Sequence, residues 1–179
     1  MPPSAPTPIS SPTAMPSHTS TPAITPPPSS STVDGYNFGL SPYSLNQAPT
    51  YTKISNNSYS FYCYVPVHFT CVSSTLPMMY QPYDNSAVME INAYSNTYNM
   101  SVQEAMNSYI SLIDGTVKYS ANGDTWFALS IQKDGVDYYI KCFVDHYIRY
   151  FTFSFPDQYL DVYEPYINYI EDNFKRTDV

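Results

Sequence analysis

A break in composition at Thr32 constrains this chain more than any other feature. Of residues 1–32, 24 are Pro, Ser or Thr and none is Asp, Glu, Lys or Arg, whereas all 20 tyrosines and every charged residue lie beyond them. Such a segment buries too little apolar surface to offset chain entropy. Residues 1–33 therefore read as a disordered Pro/Ser/Thr-rich linker, extended and polyproline-like around Pro26-Pro27-Pro28. Residues 34–50, punctuated by Gly35, Gly39, Pro42 and Pro49, read as an irregular lead-in. Residues 51–176 hold the aromatic core material for one α+β domain.

Within that domain, period-two alternation predicts strands. Tyr51 to Ile54 is a short one. Tyr59 to Val65 sets Phe61, Cys63 and Val65 against Tyr62 and Tyr64 and ends at Pro66. Val67 to Asn85, interrupted by Pro77 and Pro82, reads as irregular, and Ala87 to Tyr94 as a strand. Ser101 and Glu104 form a capping box. Behind it Val102, Ala105, Met106, Tyr109, Ile110 and Ile113 recur at helical spacing, with Gly115 at the left-handed cap. A meander follows: Thr116 to Ser120, a hairpin turn at Asn122-Gly123, Thr125 to Gln132, a turn at Asp134-Gly135, Val136 to Val144, and Ile148 to Phe155 beyond Asp145-His146. Phe151, Phe153 and Phe155 share a face that needs a cover. Leu160, Tyr163, Ile167, Ile170 and Phe174 supply it from one side of a closing helix, which Pro165 predicts to start near Tyr163 or Glu164. Lys175-Arg176 falls where a helix C-terminus favours cations. The fold class is α+β, a mainly antiparallel sheet flanked by helices.

Charge narrows the partners. Seven basic residues stand against 15 acidic ones, a net charge of −8, and the basic residues are scattered, which argues against nucleic acid and anionic bilayers. No stretch has the length of a transmembrane helix. Cys63 and Cys142 sit at apolar strand positions as small core hydrophobes; a bridge between two of the three cysteines, Cys71 included, stays open. Neither metal-ligand spacing nor a phosphate-cradling glycine loop is present, and no cofactor is implied. Nucleophilic catalysis would need His68 with Cys71, or His146 with Asp145, and neither has a supporting local signature. Carboxylate pairs drawn from Asp134 and Asp137, or from Asp157, Asp161 and Glu164, lie in turns and helix starts where acidic residues belong anyway.

The run Phe151-Thr152-Phe153-Ser154-Phe155-Pro156, then Tyr163-Glu164-Pro165-Tyr166 and Tyr169-Ile170-Glu171-Asp172-Asn173-Phe174-Lys175, resembles the PsbP-like fold. That fold is named for an extrinsic photosystem protein and shared by a small nuclear import factor and by the bacterial DcrB. Relatives close on a Ser-Phe-Lys-like end; here Asn173 replaces the serine. The resemblance implies an α-β-α sandwich from Tyr51 to Lys175. It also resembles exported or lipid-anchored proteins of Gram-positive gut bacteria, which implies an extracellular or envelope location. The chain opens Met1-Pro2-Pro3 without a signal peptide, so the expectation is that a leader or lipid anchor has been removed.

Three functional readings follow. The first is a non-catalytic module that binds a protein, displayed at the envelope or secreted on its flexible spacer. The second is carbohydrate binding through outward aromatic residues, with Tyr62, Tyr64, Tyr94, Tyr98 and Tyr139 as the candidate surface beside Trp126. The third is hydrolysis through His146 or His68, which needs a pocket around an oriented imidazole.

Overall fold

The computed structural model describes residues 49–177. The expected linker, nearly all of the lead-in and His18 lie outside the described residues. The elements run β1 (Tyr51–Asn56), β2 (Phe61–Pro66), β3 (Phe69–Ser73), β4 (Met78–Pro82), β5 (Val88–Ser95), α1 (Val102–Ile113), β6 (Thr116–Asn122), β7 (Trp126–Lys133), β8 (Val136–Val144), β9 (Tyr147–Pro156), α2 (Leu160–Asn173) and β10 (Lys175–Arg176). Among the described residues the strands form two sheets, one in the order β1-β2-β10 and a seven-stranded one in the order β3-β4-β5-β9-β8-β7-β6. Every neighbouring pair in both sheets is antiparallel.

Alternation along the central strands assigns the helices to opposite faces. Phe151, Phe153 and Phe155 of β9 join Tyr163, Ile167 and Ile170 of α2, with Phe174 just beyond it and Phe61, Cys63 and Val65 of β2, in one buried cluster. On the other face Phe127, Leu129 and Ile131 of β7 and Ile140, Cys142 and Val144 of β8 pack with Ala105 and Met106 of α1. The phenylalanine-bearing strand is thus covered by the closing helix, and the α+β sandwich stands. All three cysteines are free thiols, Cys63 and Cys142 buried and Cys71 exposed.

Helix α1 carries the anticipated capping box: Ser101 Oγ accepts the Glu104 N–H at 3.2 Å and Glu104 Oε2 accepts the Ser101 N–H at 2.8 Å. Its left-handed cap is Asp114, at φ 53°, not Gly115. Gly115 has a different purpose: a Cβ there would lie 2.6 Å from the Gln132 carbonyl oxygen and 2.8 Å from Ile131 Cγ2. Because a backbone atom cannot swing aside, Gly115→Ala is expected to destabilise the domain by roughly 1–3 kcal/mol in urea unfolding. At the β7–β8 turn, Asp134 and Gly135 both have positive φ (52° and 75°), the requirement of a type I′ hairpin. At the β6–β7 hairpin the turn closes two residues later than expected: Gly123 N–H donates to Trp126 O at 2.9 Å, which leaves Asp124 and Thr125 at its centre.

Three further expectations need correction. The irregular stretch 67–85 contains β3 and β4, since Pro77 precedes β4 and Pro82 ends it, so neither proline interrupts the ladder. Helix α2 starts at Leu160, ahead of Pro165, because a 3₁₀ turn over Asp157–Tyr159 leads directly into it. Pro165 has no N–H to give the Asp161 carbonyl, and both residues are exposed, where the lost bond costs least. Lys175-Arg176 does not complement the helix end; it leaves the helix and pairs with β2 as β10.

Candidate functional site

The three-stranded sheet organises the surface with the most unusual chemistry. In β2, Phe61, Cys63 and Val65 are buried, which turns Tyr62 and Tyr64 outward. Register then fixes their companions: Ser55 lies opposite Tyr62, Lys53 opposite Tyr64 and Lys175 on the other side of Tyr62. Helix α2 brings Tyr166 and Tyr169, three residues apart, to the same place. The result is a continuous aromatic row. Tyr62 meets Tyr64 edge-on at 6.1 Å, Tyr64 meets Tyr169 at 5.8 Å, and Tyr169 stacks on Tyr51 at 3.9 Å and 11°. Tyr51 meets Tyr166 at 6.3 Å, and Tyr166 meets His68 at 5.5 Å. The Lys53 ammonium sits 3.7 Å above the Tyr62 ring.

The three strands are free of carboxylates, whereas helix α2 beside them carries Asp161, Glu164, Glu171 and Asp172. Strands β1, β2 and β10 contain Lys53, Lys175 and Arg176, three of the seven basic residues, and none of the 15 acidic ones. Between Asp34 and Asp84 the sequence has no carboxylate at all. Tyr51 adds a buried hydroxyl with no hydrogen-bond partner. Burial first, then Tyr166 and Tyr169, push that hydroxyl's pKa up. Tyr51→Phe removes the orphan while keeping the stacked ring, so it should stabilise the domain by about 1 kcal/mol in thermal unfolding.

A buried ionic latch holds this sheet against the larger one. Asp145 Oδ2 accepts from Arg149 Nη1 at 2.8 Å and from Arg176 Nη1 at 2.7 Å, while its Oδ1 accepts the Tyr147 N–H at 2.9 Å. Arg149 is fully buried, and its Nε donates to the carbonyl of Tyr59 in the β1–β2 turn. Burial alone would raise the Asp145 pKa; the Tyr147 N–H and the two guanidinium groups outweigh it and hold the carboxyl below the usual carboxylate range. A second ion pair pins α2 to β8: Glu171 accepts from Lys141 Nζ at 3.0 Å and from the Tyr139 hydroxyl, and Lys141 lies 3.5 Å over the Trp126 ring.

The five anticipated surface tyrosines do not share one face. Tyr62 and Tyr64 belong to the row. Tyr94, on β5, is edge-on to Tyr150 at 6.5 Å, and Tyr98 is exposed in the loop before α1. Tyr139 is buried, only 9 % exposed, because β8 turns it beneath α2 toward Glu171. Tyr62 and Tyr64 stand at 82° to each other, so they do not form the coplanar platform that stacks on sugar rings. The imidazoles are placed differently from each other. His146 is exposed on the β8–β9 turn, and its neighbour Asp145 is committed to two arginines. His68 is half-buried, edge-on to Phe69 at 5.0 Å and to Tyr166; burial lowers its pKa, with Asp84 acting the other way. Burial first, then Asp157, raise the Asp137 pKa against the pull of Lys118. Missed in the sequence were Tyr51, Lys53, Tyr166, Tyr169 and Lys175. The first two carried a signal, their alternation on β1; the others needed the position of α2.

Two antiparallel sheets, with one helix on each face of the larger and the small sheet beside the closing helix, define this domain as an example of the PsbP-like fold. Solved structures bear this out. The solution structure of cyanobacterial PsbP (CyanoP) from Synechocystis sp. PCC 6803 superposes with a TM-score of 0.54 at 8 % identity, covering 76 % of this chain and 98 % of that one. The crystal structure of the Saccharomyces cerevisiae Ran-binding protein Mog1p gives 0.54 at 9 % identity, covering 73 % and 97 %. No protein-family model matches the chain, and no curated protein matches it in sequence. Among the described residues no helix is long and apolar enough to cross a membrane.

Proposed function

We propose that the domain is a non-catalytic module that binds a protein through the tyrosine row of its small sheet, carried on the Pro/Ser/Thr-rich linker at the cell envelope or outside the cell. The carrying observation is the row itself: six rings from Tyr62 to His68 in mutual contact, several still partly open to solvent. Tyrosine gives large contact area at low entropic cost, which is why it is enriched at protein interfaces. One structure of the same fold is a Ran-binding protein, and binding through a surface suits a domain whose buried charges hold strands and helices together. The linker favours display, since an uncharged Pro/Ser/Thr segment keeps a domain away from whatever it is attached to.

The test is site-directed crosslinking in the producing cell. A photoreactive phenylalanine analogue in place of Tyr64 should yield a discrete adduct with a second protein. The same analogue in place of Tyr83, which is 96 % exposed on the β4–β5 connection, should not. Equal labelling from both positions, or none from Tyr64, defeats the reading. Protease treatment of intact cells tests the location: a displayed domain is released, an internal one is spared.

A further inference from the structure

The edge of the small sheet says what kind of chain the row receives. Val67 N–H donates to Thr50 O at 3.0 Å, so that pair is hydrogen-bonded. Antiparallel pairs alternate between bonded and non-bonded. The bonded pairs that follow are therefore Thr52 with Val65, Ile54 with Cys63, and Asn56 with Phe61. Pro66, which has no N–H, falls on a non-bonded position, as it must. It follows that Tyr51, Lys53 and Ser55 aim their backbone N–H and C=O away from β2. Among the described residues β1 has only β2 beside it.

The other sheet ends are less receptive. Edge strand β3 has a register shift between Cys71 and Ser73, and β6 one between Val117 and Tyr119. Irregularities of this kind blunt an edge against strand addition. The β1 register is unbroken over six pairs. Its lysine does not block the edge either, since the Lys53 side chain folds over the Tyr62 ring on the outer face.

Building on the protein-binding reading, we infer that β1 takes up an extended acidic segment of a partner protein as an added strand. Its backbone pairs with Tyr51, Lys53 and Ser55, and its carboxylates lie beside Lys53. Charge selects the partner: Lys53 lies on β1 itself, Lys175 stands two strands away, Arg176 is held by Asp145, and no residue of the three strands is acidic in a chain of net charge −8. Main-chain pairing supplies the affinity common to strand addition, and cross-strand charge pairing supplies the selectivity.

A random dodecamer library displayed on phage, selected on the full chain, tests this. Enriched peptides should be net negative and rich in β-forming residues, and their affinity should fall with added salt. Lys53→Glu should weaken them about tenfold. Ser55→Pro should weaken them at least as much, since it deletes an outward N–H and no β1–β2 bond. Both variants should melt like the parent chain. Peptides that are neutral or basic but are lost in Tyr64→Ala would overturn the acidic-strand inference and leave the protein-binding face standing. Peptides indifferent to all three substitutions would overturn both. A dimer of the chain that dissociates on Ser55→Pro would make a second copy the occupant, and would equally overturn the inference.

Discussion

Asp145→Ala is expected to destabilise the domain by about 3–5 kcal/mol, because it takes the carboxylate from a fully buried guanidinium. For a domain of this size that lowers the thermal midpoint by roughly 10–20 °C. Asp145 is the common acceptor of Arg149 and Arg176, so one substitution takes a carboxylate from both and loosens the hold on β10. Arg176→Ala should cost much less, since Arg149 keeps its carboxylate. The pH dependence has a fixed sign. The folded-state pKa of Asp145 is depressed, so its stabilisation is complete above the unfolded value of about 4. It is lost as pH falls from there through the folded value. Melting curves from pH 7 down to pH 2 should show the parent chain losing this increment and Asp145→Asn, already without it, losing less. Parallel acid profiles for the two proteins would remove the latch from the account.

That latch also shows where sequence reading stopped. In sequence Asp145 reads as a turn residue with His146 as its neighbour, a pair with no local signature of catalysis and no hint of another role. The arginines that claim the carboxylate are i+4 across a hairpin and 31 positions away after a helix. Nothing local records that. What was legible was whatever depends on periodicity and capping: α1 with its box, the meander of β6 to β9, and the face shared by Phe151, Phe153 and Phe155. What was lost depends on tertiary placement. β3 and β4 were hidden because prolines at their ends looked like interruptions. Lys175 and Arg176 looked like helix-end cations because their partner, β2, lies more than 100 residues earlier. Tyr139 looked outward because β8 is buried on both faces, where alternation no longer separates inside from outside. Half of the aromatic row followed from β2 alone; the half contributed by α2 did not.

Phe174→Ala is the second large effect, and it tests whether the closing helix and the small sheet form one unit. Phe174 is 1 % exposed and meets Phe143 at 5.2 Å, Phe151 at 5.5 Å and Phe61 at 5.9 Å, which places it between β8, β9 and β2. Truncation removes a ring and leaves a cavity, at a cost of about 3–5 kcal/mol. The position matters as much as the volume. Phe174 is the last residue before β10, so its loss loosens the pairing of Lys175 with Tyr62 and of Arg176 with Phe61. Amide exchange should therefore accelerate most in β10, β2 and the second half of α2, and least in β7 and α1, whose core lies on the opposite face. Because α2 carries Tyr166 and Tyr169, crosslinking through Tyr64 should weaken in the same variant at temperatures where the fold persists. If exchange instead rises evenly across both clusters, the two faces unfold as one. The aromatic row then gains nothing from this anchor beyond general stability.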